Sequence, residues 1–241
     1  MPNKIEDILT QSIPRGHIVD KVIIGFNWSF VRSGDLCGVA RSPSRGTEGA
    51  RTIRPEAGFK GIDLADLAAH LQSEDELARS VGLAAVNAYW NRKDADYNEL
   101  VPTGGFAGLE GDGEELIIIG GFRGVTRRMP KARIVEREPK DINDIPETEA
   151  APYIAKAKVL AITAQTLMNN SLNSILENAQ NVPRRILIGP SAPLCPLILG
   201  HGITEVSAAV IQDAHAAEEF ITESGTMIML EHIAKSAYLR S

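Results

Sequence analysis

The apolar positions change rhythm about one hundred residues into the chain. In the front part, Ile5, Ile8 and Leu9 recur at helical spacing, and Pro14-Arg15-Gly16 stops the run. Residues 18–31 are rich in β-branched and aromatic side chains, among them Val22, Ile23, Ile24, Trp28, Phe30 and Val31. A turn at Ser33-Gly34-Asp35 follows, and Leu36 to Ala40 reads as the returning strand of a β-hairpin. Residues 41–60, rich in Arg, Gly, Ser, Thr and Pro, read as an exposed loop; a mobile lid is the rarer case. Asp63 to Leu71 is helical in pattern. Ser73 to Glu76 fits a capping box with Ser73 at the N-cap, and the helix it opens runs through Leu77, Val81, Ala84, Ala85 and Ala88 to about Trp90. A hairpin followed by helices predicts a small α+β domain over residues 1–95.

Asp94 to Gly113 is polar and glycine-rich and reads as a linker. Beyond it come short, nearly continuous apolar runs: Leu116–Ile119, Ala132–Val135, Val159–Ile162, Ile186–Ile188 and Val206–Ile211. Helix-like segments at Gly124–Met129, Thr166–Asn178, Pro193–Leu199 and Ala214–Thr222 separate most of them. Apolar strands alternating with helices predict a parallel sheet covered on both faces. The fold class expected is therefore α/β, a Rossmann-like parallel-sheet domain at 112–241 preceded by the smaller α+β domain.

Charge narrows the partners. The formal net charge of -6 argues against a general nucleic-acid binder. Arg127, Arg128, Lys131, Arg133 and Arg137 form a basic stretch, but Glu136 and Glu138 interrupt it, as on a solvated face. No apolar run approaches the roughly 20 residues that cross a bilayer, and the amino terminus has no apolar signal core. Cys37 and Cys195 stand far apart without CxxC spacing, as reduced thiols do. A cytoplasmic protein without nucleic-acid or membrane partners is the expectation; a homo-oligomer is compatible with it.

Three strand ends carry the candidate chemistry. Gly120-Gly121-Phe122-Arg123-Gly124 follows the first strand of the sheet; its glycines let backbone N–H groups approach an anion that Arg123 could pair with. It is neither GxGxxG nor a Walker loop, and a tight turn explains it equally well. The second end is Thr163 through Ser171, where Thr163 could cap a helix and Thr166, Asn169, Asn170 and Ser171 add hydroxyls and amides. The third is Gly189-Pro190-Ser191-Ala192-Pro193, where Ser191 lacks the Gly-x-Ser-x-Gly surround of a nucleophile. Carboxyl ends of parallel strands are where open α/β sheets bind ligands. Glu136 is the one obvious acid/base nearby, so an enzyme acting on a small anionic metabolite is the alternative to a binding protein. Glu136 also falls short of the usual spacing for a ribose-binding acid, which keeps a nucleotide reading in third place. Cys195 and His201, with Cys37 from the front domain, are the weak candidates for a soft metal site.

These strand ends together resemble one family, that labelled putative heavy-metal chelation. The resemblance rests on Ile118-Ile-Gly-Gly-Phe122, Glu136, Ile162-Thr-Ala-Gln-Thr-Leu-Met-Asn-Asn-Ser-Leu172, Ile188-Gly-Pro-Ser-Ala-Pro-Leu194, Gly202 and Asp213. In the front half it covers Gly38-Val-Ala40 and Val81–Ala88. Asn170 stands where the family has glycine, Ser171 where it has threonine, and Ala192 where it has a second hydroxyl. The resemblance implies a Rossmann-like carboxyl-terminal domain, an enolase amino-terminal-like first domain, and a ligand site in the cleft between them. It implies a small molecule or metal complex as ligand and a transition or heavy metal as the group handled. Asn87, on a helix of small residues, is expected to reach that cleft.

Overall fold

The computed structural model describes residues 4–43, 53–97, 99–101, 106, 109, 115–122, 124–125, 129–142, 144–226 and 232–240. The front half holds α1 (Ile5–Gln11), β1 (Lys21–Ile24), β2 (Trp28–Ser33), β3 (Leu36–Arg41), α2 (Leu64–Ala68) and α3 (Glu76–Trp90). The three strands form an antiparallel meander in the order β1-β2-β3. The single strand expected over 18–31 is thus two, because the chain reverses at Gly25, whose N–H donates to the Trp28 carbonyl at 2.9 Å.

Alternation along β2 sends its side chains two ways. Trp28 and Phe30 join Val39 in an apolar cluster with Phe220 and Ile221. Val31 and Ala40 face the other way, into the main core with Val81 and Ala84 of α3. The small residues of α3 serve close approach: a Cβ on Gly38 of β3 would stand 2.1 Å from the Ala88 nitrogen. The expected capping box does not form. Asp75 is the N-cap, its carboxylate accepting from Leu77 N at 2.8 Å and Ala78 N at 3.1 Å, while Ser73 Oγ accepts only from Asp75 N. A carboxylate that satisfies two first-turn donors displaces a hydroxyl two residues back.

The rest of the chain builds an eight-stranded sheet from β4 (Glu99–Val101), β5 (Leu116–Ile119), β6 (Arg133–Glu136), β7 (Ile145–Pro146), β8 (Val159–Thr163), β9 (Arg184–Ile188), β10 (Glu205–Ile211) and β11 (Ala234–Arg240). Its order is β4-β11-β10-β9-β8-β5-β6-β7. The six strands from β10 to β7 are parallel; β11 pairs antiparallel with β10, and β4 pairs antiparallel with β11 at the edge. Glu99–Val101 therefore belongs to the sheet although its surroundings read as a linker; three residues paired to one neighbour leave little pattern. Both faces are covered, as the runs predicted. Ile117, Ile119, Leu160, Ile162 and Leu187 point into the main core. Leu116, Ile118, Ala161, Ile186 and Ile188 point into a second core with Met129 and Ile134.

Two expected helices change form. The 166–178 segment divides into α5 (Gln165–Met168) and α6 (Leu172–Asn178), interrupted at Asn170, whose φ of 59° is left-handed. The 193–199 segment holds only a 3₁₀ turn at Pro196–Ile198, since Pro193 and Pro196 both withhold an N–H. Between 124 and 129 one helical bond is described, Met129 N–H to the Val125 carbonyl at 2.9 Å. The segment 151–154 forms α4 and Ala214–Thr222 forms α7. Among the described residues no helix is long and apolar enough to cross a membrane.

Candidate functional site

Read from its β7 edge, the parallel part of the sheet runs β7-β6-β5-β8-β9-β10. In chain order that is third, second, first, fourth, fifth, sixth, so the connections reverse direction between β5 and β8. Such a reversal leaves a crevice beyond the strand ends, because the connections on either side depart to opposite faces. The turn after β5 lies in it. Gly120 has φ 104°, and a Cβ there would stand 2.8 Å from Thr163 Cγ2 at the end of β8. A Cβ on Gly121 would stand 2.9 Å from Glu136 Oε1 at the end of β6. The glycine pair thus threads between a threonine and a carboxylate, each glycine bare for a different neighbour.

The third strand end closes the same hollow. Gly189, with φ 122°, opens a turn in which Ala192 N–H donates to the Gly189 carbonyl at 2.9 Å, with Pro190 at its second position. Phe122 leans toward this turn from the β5 side, its Cζ 4.0 Å from where a Gly189 Cβ would be. Gly121, Phe122, Thr163, Gly189, Pro190 and Ser191 all line a hollow of about 230 Å³.

The front half supplies its roof. Trp28 and Arg41 also line the hollow. They are directly paired across β2 and β3, and the Arg41 guanidinium carbon stands 5.5 Å from the centroid of the indole ring. Among the described residues no carboxylate pairs with that guanidinium. The main chain of Arg41 is fixed: its N–H donates to Ser191 Oγ at 2.8 Å, and its carbonyl lies 2.9 Å from Ser80 Oγ. The roof is therefore pinned to the β9 turn by the serine that the sequence singled out. The Trp28 indole N–H is buried without a partner among the described residues. Sequence reasoning missed Trp28, Arg41, Ala164 and Gln165 in this lining. By composition Arg41 reads as part of the exposed 41–60 loop; its pairing with Trp28 appears only in the fold.

Several expected site residues turn out to be spent elsewhere. Asn87 is fully buried, and its amide donates to the Val39 and Ser191 carbonyls at 2.8 and 3.0 Å. It fastens the β9 turn to β3 from behind and does not line the hollow. Thr166 is buried and its hydroxyl donates to the Thr163 carbonyl at 2.7 Å. Asn169 Oδ1 accepts from both N–H and Oγ of Ser171, at 3.2 and 2.6 Å, in the turn that Asn170 makes left-handed. An asparagine tolerates that conformation better than most residues, which is how it stands in for glycine there. Pro193 is buried behind the turn. Arg123 lies outside the described residues, as do residues 44–52 of the 41–60 loop.

Among the described residues the soft-metal candidates Cys195, His201 and Cys37 form no ligand cluster. Cys195 is fully buried, and burial pushes its thiol up to about 11. His201 is exposed, and Cys37 lines a different hollow, with Asn91 and Lys93, its thiol likewise raised by burial to about 11. Raised thiols resist becoming the thiolates that soft metals bind. Among the described residues no group of three His, Cys, Asp or Glu side chains is arranged to hold a metal ion.

Comparison with known proteins gives two family models that match, one over residues 6–90 and one over 108–240, both described as "putative heavy-metal chelation". An uncharacterized protein of Methanocaldococcus jannaschii is 27% identical over 177 residues, covering 68% of this chain. The match spans 66% of that relative's own length, slightly under two thirds. Crystal structures of two proteins of unknown function share the fold. One, from Desulfitobacterium hafniense, gives a TM-score of 0.81 at 24% identity, over 98% of this chain and 97% of that one. The other, from Pyrococcus horikoshii, gives 0.81 at 17% identity over 98% of each.

Proposed function

The chain belongs to the family described as "putative heavy-metal chelation", and within it we propose a protein that binds a small anionic molecule, or the metal complex of one, in the hollow between β5, β8, β9 and the Trp28–Arg41 roof. The observation that carries this reading is the Arg41 guanidinium, stacked on Trp28 and without a carboxylate partner among the described residues, over three strand ends that meet at a topological reversal. A cation held in such a place favours a carboxylate or phosphate, and small donors such as Thr163 and Ser191 orient it. The described residues do not fit a bare metal ion, for want of clustered donors. A metal would arrive already wrapped by a chelator whose carboxylates face Arg41.

Isothermal titration tests this with nickel, cobalt, zinc and ferric ions alone, citrate alone, and each metal with citrate. The expected result is binding of the anionic chelate that Arg41→Met weakens at least tenfold and Cys195→Ser leaves unchanged. Stoichiometric binding of a bare metal that Arg41→Met does not affect and Cys195→Ser abolishes would overturn the reading.

A further inference from the structure

The lining of the hollow carries information about the ligand beyond its charge. Arg41 is the one charged side chain among the described residues that line it. One cation matches one anionic group. A second carboxylate would enter stripped of water and without a counter-ion, which is costly. The neutral polar side chains in the lining are Thr163, Gln165 and Ser191. Ser191 Oγ already accepts the Arg41 N–H at 2.8 Å, and Thr163 Oγ1 stands 3.4 Å from Gln165 N. Little polarity is left for the rest of the ligand.

The other side chains of the lining are apolar. Ala164 and Ile188 are buried, tied together by Ala164 N–H donating to the Ile188 carbonyl at 2.9 Å. Phe122 and Pro190 are half-buried and offer surface to the hollow. The Phe122 ring is held in place by Phe106, with centroids 4.9 Å apart and planes at 70°. Phe106 in turn is buried in the second core with Leu116 and Ile118. A ring fixed by one aromatic partner and still half exposed can take a second ring, and such pairs gain more than the area they cover. The hollow, at about 230 Å³, is smaller than the roughly 300–1,000 Å³ of sites for drug-sized ligands. That favours a single ring. Resting on the anion reading, we propose that the ligand is a compact aromatic monocarboxylate, its ring on Phe122 and Pro190 and its carboxylate on Arg41.

The full chain, unmodified and as Phe122→Leu and Arg41→Met, would be titrated calorimetrically with benzoate, 2-hydroxybenzoate, cyclohexanecarboxylate, benzyl alcohol and citrate. At least one of the two aromatic carboxylates is expected to bind the unmodified chain tenfold or more tightly than cyclohexanecarboxylate, which has the same charge and a saturated ring. Benzyl alcohol, which keeps the ring and lacks the charge, falls at least tenfold below that aromatic carboxylate. In Phe122→Leu the aromatic preference vanishes, since leucine keeps apolar surface and loses the ring. In Arg41→Met the aromatic carboxylate falls to the level of benzyl alcohol. Circular dichroism and urea titration establish that each variant is folded, and Phe122→Met serves as a second variant should Phe122→Leu unfold. Aromatic and saturated carboxylates binding equally overturns the proposal, as does an aromatic preference that survives in Phe122→Leu, or a failure of both aromatic carboxylates to bind. If citrate or its metal complexes bind through Arg41 while no aromatic preference is seen, the ring assignment falls and the anion site stands. If Arg41→Met leaves all binding intact, the anion site falls and the proposal with it.

Discussion

Two polar regions meet the carboxyl ends of the parallel strands, and they differ in what their polar groups are bonded to. Behind the strand ends runs a seam that joins the front half to the sheet. Its groups are buried and mostly turned on the protein: the Asn87 amide nitrogen on two carbonyls, although its Oδ1 is buried without a partner among the described residues, Asn91 on three backbone groups, and Arg79 on Glu6 and the Leu167 carbonyl. In front of the strand ends lies the hollow, where the Arg41 guanidinium meets only an aromatic ring among described partners. Composition does not separate the two regions, since both draw on Asn, Ser, Thr and Arg. The accounting of hydrogen bonds does. A polar side chain whose donors and acceptors are all used inside the fold stabilises it; one left with capacity at a concavity is available to a ligand.

The contrast breaks most readily in the seam. The Arg79–Glu6 pair is 3.2 Å apart with side chains 6% and 4% exposed. Arg79→Ala leaves the buried Glu6 carboxylate without its cation, held only by Asn173 Nδ2 at 2.8 Å, and strands the Leu167 carbonyl, and urea unfolding is expected to show a loss of about 3–5 kcal/mol. A loss under about 1 kcal/mol would place the pair outside the seam's essential bonds. Next comes Asn91→Ala. Its amide donates to the Ala192 and Ala209 carbonyls at 2.9 and 3.2 Å, and its Oδ1 accepts from Leu194 N at 2.8 Å. Stranding buried groups costs about 1–3 kcal/mol each, so a destabilisation of about 2–4 kcal/mol is expected, with the β9 turn losing amide-exchange protection first.

Arg41→Met sharpens the contrast from the other side. Stability is expected to change by less than about 1 kcal/mol, as at a surface position, while citrate or chelate affinity falls at least tenfold. The same substitution costing several kcal/mol in the absence of ligand would make Arg41 part of the seam. The smallest effect concerns His70, on the 3₁₀ turn before α3, whose pKa is lowered by burial. The folded state favours its neutral form, so the stability it contributes is full above the unfolded value near 6.5 and is lost as pH falls toward the folded one. His70→Gln should flatten the slope of stability against pH in that window, while leaving any pH dependence of ligand binding unchanged.

The sheet was legible because its strands carry apolar side chains on both faces; runs such as Leu116–Ile119 and Ile186–Ile188 need no partner to be recognised. β4 and the β1–β2 break were not, since a three-residue edge strand and a single reversal at Gly25 have almost no periodic signal. The Gly120, Thr163 and Gly189 turns were legible as strand ends, and they do converge. What the sequence could not separate was Thr166, Asn169 and Asn87 from Thr163 and Ser191. All are small and polar, and only the fold determines which hydroxyl or amide reaches a neighbouring carbonyl. The roof was missed for the opposite reason: Trp28 reads as core and Arg41 as loop, and their pairing across two strands is a tertiary fact.

One apolar interior runs without interruption from Ile5 and Leu83 through Ile119 and Ile162 to Leu187. Both lobes share that interior. Heating should melt both in one calorimetric peak, and a gene cut near codon 95 should yield two sticky fragments, not two modules. A small molecule settling between the lobes would meet walls already set by that common interior, and would not need to swing one lobe toward the other.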